Sequence, residues 1–409
     1  VSSSLNRRLG LADSVVVGLG AMLGAGVFVA IAPATRVARS GVLIALAVAA
    51  VVAYCNATSS ARLAARYPQS GGTYVYGRER LGPFWGYLAG WSFVVGKTAS
   101  CAAIAVTVAQ YAWPEHRRLL ALLVALAVTA LNVAGLRKST LVTRVLVGVV
   151  LLVLGVVVVS CFAGGSISLD RLRPFPDTNL HGVLQAAGLL FFAFAGYARV
   201  ATLGEEVRDP ARTIPRAVRI ALGTTLVTYA LVFVSALMAA GPGPIAASTA
   251  PLRTAVEAGS WSAVAPVVRI GAVLGAAGSL LALVLGVSRT TLAMARDGYL
   301  PRPLTIIRRD TPVGAELVVG AVVAGLAATL DLRNAIGFSS FGVLLYYAIA
   351  NASAWSLGRA RVIPTVGLIG CVALAADLPG RDVLAGLAVT ALGIAVFAAT
   401  TRLRHPVNL

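Results

Sequence analysis

Apolar runs of about 20 residues alternate along this chain with short polar punctuation by arginine, proline and glycine. Each run is long enough to cross a bilayer as a helix. The pattern predicts twelve of them, at Asp13–Val37, Gly41–Ala64, Pro83–Trp113, Leu119–Leu136, Leu141–Ala163, Gly182–Gly204, Ala217–Ala240, Ala263–Ala293, Gly314–Leu330, Asn334–Leu357, Val362–Ala376 and Val383–Thr401. Because the runs are continuous instead of alternating with period two, an outer-membrane barrel is excluded. The expected fold is an all-α integral membrane protein with about twelve transmembrane helices.

Two of these runs carry glycine where a plain span would not. Gly18-Leu19-Gly20-Ala21-Met22-Leu23-Gly24-Ala25-Gly26-Val27-Phe28 holds four glycines within nine residues. In a helix interior each costs about 1 kcal/mol relative to alanine. A local reason is therefore expected: Gly24-Ala25-Gly26 leaves helical geometry and lets a ligand approach the backbone. Such a break is tolerated at membrane depth only where protein or a watery cavity surrounds it. It offers amide N–H groups from one half-helix and free carbonyls from the other, which are what the carboxylate and ammonium of a zwitterion require. The sixth run repeats the device in Gly188-Leu189-Leu190-Phe191-Phe192-Ala193-Phe194-Ala195-Gly196-Tyr197-Ala198. Paired interruptions five helices apart point to an inverted-repeat transporter with its site near the midplane.

Composition narrows the classes further. At 409 residues, 58% hydrophobic and 12% charged, with a mean hydropathy of +0.86, the chain does not read as a soluble domain. A net charge of +19 would suit nucleic acid only if it formed a stripe on a soluble surface. Here the arginines separate the apolar runs, so no nucleic-acid partner is expected and topology accounts for the charge. With the N-terminus inside, roughly 22 of the 34 basic residues fall on the cytoplasmic side. This favours a multi-pass protein of the cytoplasmic membrane with both termini cytoplasmic. The first run continues at transmembrane length without a cleavage pattern and is expected to be retained. Cys55, Cys101, Cys161 and Cys371 lie in apolar runs without metal-ligand spacing, and neither a disulfide framework, a metal nor a cofactor is expected.

Lys97 and Arg199 lie inside spans, where an ionisable group costs about 2.5–3.5 kcal/mol and is functional by default. Burial lowers the pKa of a lysine and brings it into a range where it loads and releases protons. Lys97 and Cys101, four residues apart, share one face of the third helix. Glu205 and Glu206 follow the sixth run and precede Arg208, Arg212 and Arg216. They read as an ionic latch for the inward gate. Asp13 is placed to cap the first helix. Gly241-Pro242-Gly243-Pro244 reads as an external loop, and Arg296-Asp297-Gly298 as a turn.

Four motifs, taken together and in order, resemble the amino acid–polyamine–organocation (APC) superfamily. They are Gly20 to Phe28; Arg66-Tyr67-Pro68-Gln69-Ser70-Gly71-Gly72-Thr73-Tyr74-Val75-Tyr76 with Gly90-Trp91; Gly204 to Ala217; and Ala293-Met294-Ala295-Arg296-Asp297-Gly298-Tyr299-Leu300-Pro301. The resemblance implies a leucine-transporter-like fold. Residues 1–163 would be the first inverted repeat of five helices, 164–360 the second, and 361–409 two peripheral helices. It also implies alternating-access transport of an amino acid. The substrate carboxylate would meet amides around Gly24, Ala25 and Gly26, and its amine the carbonyls near Met22, Phe192 and Ala195. Phe192 would be an aromatic gate, and Cys101 and Tyr197 would line the pocket.

Departures from the family pattern refine this. Where relatives for cationic substrates often carry an acid after the glycine–aromatic pair, Gly196-Tyr197 is followed by Ala198 and Arg199. A guanidinium beside the pocket would repel cations, so a neutral amino acid is expected, with Arg199 also in a gating role. Some proton-coupled relatives carry a lysine in helix five where the motif match gives Val150. Lys97 is the replacement candidate for proton coupling, within reach of the first break. Import by proton symport is the leading expectation, exchange the second and sodium coupling the third. A membrane-embedded transferase would need convergent catalytic residues that the sequence lacks, and a channel would keep a pore lined by carbonyls or charge rings.

Overall fold

The structure, a computed structural model, describes residues 9–67, 71–135, 140–163, 167–173, 178–201, 207–259, 261–308, 311–358 and 360–404. Helices dominate it, as they must in a chain whose backbone has to satisfy its own polar groups in hydrocarbon. Among the described residues, nine helical segments are long and apolar enough to cross a membrane. Three shorter apolar helices accompany them: Leu180–Phe194, Val313–Thr329 and Val362–Ala376. Each of these segments overlaps at least one of the apolar runs, and the eleventh has the predicted bounds.

The first run is divided into α1 (Leu11–Met22), α2 (Ala25–Val29) and α3 (Ile31–Ala38). Then come α4 (Val42–Arg66), α5 (Thr73–Leu81), α6 (Pro83–Ala112), α7 (Arg117–Val133) and α8 (Thr140–Ala163). The sixth run is divided into α9 (Leu180–Phe194) and α10 (Ala198–Ala201). After it follow α11 (Pro210–Ala240), the short α12 (Pro242–Ala247) and α13 (Pro251–Ala258), then α14 (Ala265–Arg296), α15 (Val313–Thr329), α16 (Leu332–Trp355), α17 (Val362–Ala376) and α18 (Gly380–Arg404).

Three helices fall where the apolar pattern predicts none. α5 carries too many polar residues to read as a span, and Gly82, at φ +107°, turns the chain from it into α6. The Gly-Pro stretch at 241–244, expected as loop, instead opens α12. Pro242 sits in its first turn, where a missing N–H costs nothing and the fixed φ suits the helix.

Packing sets the centre of the molecule. Of the nine membrane-length segments, those of α6 and α16 are the most enclosed and that of α18 the least. Gly96 of α6 lies against Gly342 of α16, so close that a Cβ on Gly96 would stand 3.2 Å from the opposite backbone. Small residues permit this approach where no hydrophobic force drives helices together. One turn away, the Ser100 and Ser339 hydroxyls meet at 2.5 Å across the same interface. Leu152, Ile369 and Leu384 point outward, as side chains facing lipid would.

At the arginine-rich end the chain is tied by polar contacts. Arg208 N–H donates to the Leu9 carbonyl at 2.9 Å in an isolated parallel bridge of Leu9 with Val207. Asp13 accepts the Gly10 N–H at 3.3 Å, as expected of a cap, and also pairs with Arg144 of α8. Asp297, at the turn after α14, pairs with Arg78 of α5 at 3.0 Å and accepts the Tyr74 hydroxyl. At the opposite end Arg171 donates to the Met238 carbonyl at 2.8 Å and to that of Ala239. Arg269 donates to those of Tyr111 and Ala112 at 2.9 and 2.8 Å. These cations satisfy carbonyls that helix ends leave open.

Candidate functional site

The breaks in the first and sixth runs lie slightly off the predicted residues. α1 ends at Met22, Leu23 and Gly24 leave the helix, and Ala25 and Gly26 already begin α2. The sixth run is interrupted at Ala195-Gly196-Tyr197. These two interruptions touch. A Cβ on Gly26 would stand 2.6 Å from the Ala193 Cα, and one on Gly196 would collide with the Ala21 carbonyl. The third close approach is that of Gly24 to Ser279 of α14, whose hydroxyl donates to the Gly20 carbonyl at 2.9 Å. Glycine at these positions is thus explained by proximity.

Carbonyls freed by the breaks are met by side chains from three other helices. Tyr229 of α11 donates to the Met22 carbonyl at 2.6 Å and lies 3.1 Å from that of Ala193. One hydroxyl thereby bridges both breaks. Lys97 of α6 donates from Nζ to the Ala195 carbonyl at 3.0 Å, and Tyr347 of α16 approaches the same oxygen at 3.4 Å. Lys97 is itself buried. Its contact is with the sixth-run break, whereas the sequence suggested reach to the first.

Met22, Ala25, Cys101, Ala195 and Tyr197 are all buried. Ala25 and Cys101 share one apolar cluster with Ala276 and Leu280 of α14, and half-buried Phe192 packs against that cluster and against the larger one. Tyr197 sits with its ring 4.9 Å from that of Tyr347 and its hydroxyl beside Asn56 of α4, on the α16 side of the break. Arg199 is half-buried and its guanidinium reaches Gly286 of α14. That is about 10 Å along the helix from the level of Ser279, so Arg199 does not stand beside the break carbonyls. Val150 of α8 packs against Gly275, close to the Leu23 carbonyl. Glu205 and Glu206 lie outside the described residues. The contacts described at that end include the Leu9–Val207 bridge, the Asp13–Arg144 pair and the Arg78–Asp297 pair.

Four participants escape a reading of the sequence alone. Tyr229, Tyr347 and Ser279 look like ordinary members of apolar runs, although a phenol inside a span must find a partner for its hydroxyl. Glu316 is the fourth. It is fully buried near the start of α15, with neither carboxylate oxygen hydrogen-bonded and with Ser288 and Asn132 beside it. An acid inside the ninth run was the available signal.

A family model described as amino acid permease matches residues 9–402. An uncharacterized transporter of Mycobacterium tuberculosis is 62% identical over 404 residues, covering 97% of this chain and 92% of the relative. Branched-chain amino acid permease of Bacillus subtilis is 26% identical over 99% of this chain and 95% of its own. Methylthioribose transporter of the same organism is 26% identical, with 97% and 94% covered.

Proposed function

We propose, because the chain belongs to the amino acid permease family, that it is a secondary transporter carrying a neutral amino acid across the cell membrane by alternating access, coupled to protons through Lys97. The observation that carries this reading is the meeting of the two breaks, Gly26 on Ala193 and Gly196 on Ala21, with polarised main chain gathered around the contact. The substrate carboxylate takes the amides at Gly24, Ala25 and Gly26, and its ammonium takes carbonyls at Met22, Phe192 and Ala195. Phe192 closes over the ligand, and Cys101 and Tyr197 bound the site. Arg199, Glu205 and Glu206 act in the gate at the arginine-rich end, which is cytoplasmic along with both termini.

The architecture that suits this is a leucine-transporter-like pair of inverted repeats, helices one to five and six to ten, with two helices outside. Its support is the five-span separation of the two interrupted runs. A neutral substrate is favoured because Ala198 and Arg199, and no acid, directly follow Tyr197. A thermal-shift screen of the purified protein against neutral and basic amino acids and polyamines, at two pH values, tests this. Stabilisation by neutral amino acids is expected. Stabilisation by polyamines or basic amino acids alone, or by none, would refute it.

A further inference from the structure

We propose that the Lys97 ammonium occupies the place of the substrate's own ammonium on the Ala195 carbonyl, so that substrate and proton compete and are carried in opposite directions, in place of the symport expected from the sequence. This rests on the reading of the two breaks as an amino acid site. The Ala195 oxygen has two lone pairs, and two donors point at it: Lys97 Nζ at 3.0 Å and Tyr347 Oη at 3.4 Å. A third donor therefore has to displace one of them. If that donor is an ammonium, it meets Lys97 as a like charge in a buried site, where repulsion is poorly screened.

Among the described residues, the surroundings leave Lys97 one response. Cys101 lies one turn away on α6, buried like Lys97. Tyr347 of α16 shares its acceptor, with Tyr197 tilted against that ring. Glu316 of α15 lies in the neighbourhood of Cys101, and Arg199 extends to α14. None of these contacts gives a displaced ammonium a new carboxylate partner, and an unpaired buried cation is costly. On substrate binding the Lys97 ammonium passes one proton to water on the side the site then faces and stays as a neutral amine. The substrate ammonium takes the Ala195 oxygen. After release on the far side, Lys97 takes up a proton there and returns to the carbonyl, which resets the carrier.

The test uses the full chain in proteoliposomes enclosing a pH-sensitive dye, with a mixture of neutral L-amino acids added outside. Saturable uptake is expected to alkalinise the lumen by one proton per amino acid, and the N-acetylated mixture to leave it unchanged. Lys97→Arg, which holds its proton permanently, should cut uptake about tenfold or more. Lys97→Met should show uptake with no lumenal pH signal and no dependence on external pH. Acidification of the lumen, uptake by the wild type without proton movement, or undiminished alkalinisation in Lys97→Met would each overturn the competition while leaving the transporter standing. Absence of saturable uptake of the mixture by the wild type would instead refute the amino acid site, and the competition with it.

Discussion

Substituting Gly26 with alanine tests the contact between the breaks through its sign. Gly26 is helical, so alanine there gains up to about 1 kcal/mol in helix propensity, and a glycine of no structural consequence would become more stable when replaced. The new Cβ, however, would stand 2.6 Å from the Ala193 Cα and 2.7 Å from its Cβ. Ordinary carbon contacts are about 3.5–4.0 Å, so the two segments have to part by about 1 Å. Overpacking of a tight site costs about 1–3 kcal/mol, which after the propensity gain leaves a net loss of up to about 2 kcal/mol. Gly148→Ala and Gly155→Ala in α8, where nothing lies within 4 Å of the added atom, serve as controls. In detergent, thermal unfolding of Gly26→Ala should begin a few degrees lower, and its uptake in proteoliposomes should fall, while both controls stay at or above the wild type. If Gly26→Ala were as stable and active as Gly155→Ala, the breaks would not be in contact.

Tyr229→Phe should cost about 1–3 kcal/mol, because a buried carbonyl is left without its donor; a thermal unfolding curve and KM for uptake both unchanged would contradict the bridging role. Tyr74→Phe removes the donor to Asp297 at the end of α14, for about 1 kcal/mol. Burial first, and the bond to Asp297 second, push the Tyr74 phenol well above its ordinary range, so this stabilisation is fully present below the ordinary phenol pKa and is lost only as pH rises through the higher folded value. The deficit of Tyr74→Phe should therefore be equal at pH 6.5 and pH 9, and a deficit that disappears by pH 9 would argue against a protonated donor. Asp13→Asn keeps the acceptor for the Gly10 N–H but loses the charge facing Arg144, a half-exposed pair worth up to about 1 kcal/mol; the difference in unfolding temperature should shrink in high salt.

The spans were legible because lipid imposes a length and a composition on every helix that crosses it, and Val362–Ala376 could be read to the residue. The interruptions were legible as glycine clusters, but the residues that leave the helix are Leu23-Gly24 and Ala195-Gly196-Tyr197, since Ala25 and Gly26 are compatible with the start of α2. What could not be read was the partner across the bundle. Lys97 was singled out by the cost of a cation in a span, yet its acceptor, the Ala195 carbonyl, lies 98 residues away in sequence. Tyr229 bridges two breaks from 207 and 36 residues away, and no local pattern marks it off from neighbours that merely pack. Arg199 shows the same limit from the other side. Its position in the sixth run suggested a place beside the ligand, but its length carries the guanidinium to Gly286 of α14.

In the proposed transporter, main-chain dipoles of two interrupted helices hold a zwitterion between them. An electron cryomicroscopy map of the protein in lipid nanodiscs, recorded with the amino acid that stabilises it best, addresses this directly. The expected map has non-helical density at Leu23-Gly24 and Ala195–Tyr197, ligand density against both, and the Lys97 side chain withdrawn from the Ala195 carbonyl. Two continuous helices through these residues, or a ligand bound elsewhere while Lys97 keeps its place, would contradict it.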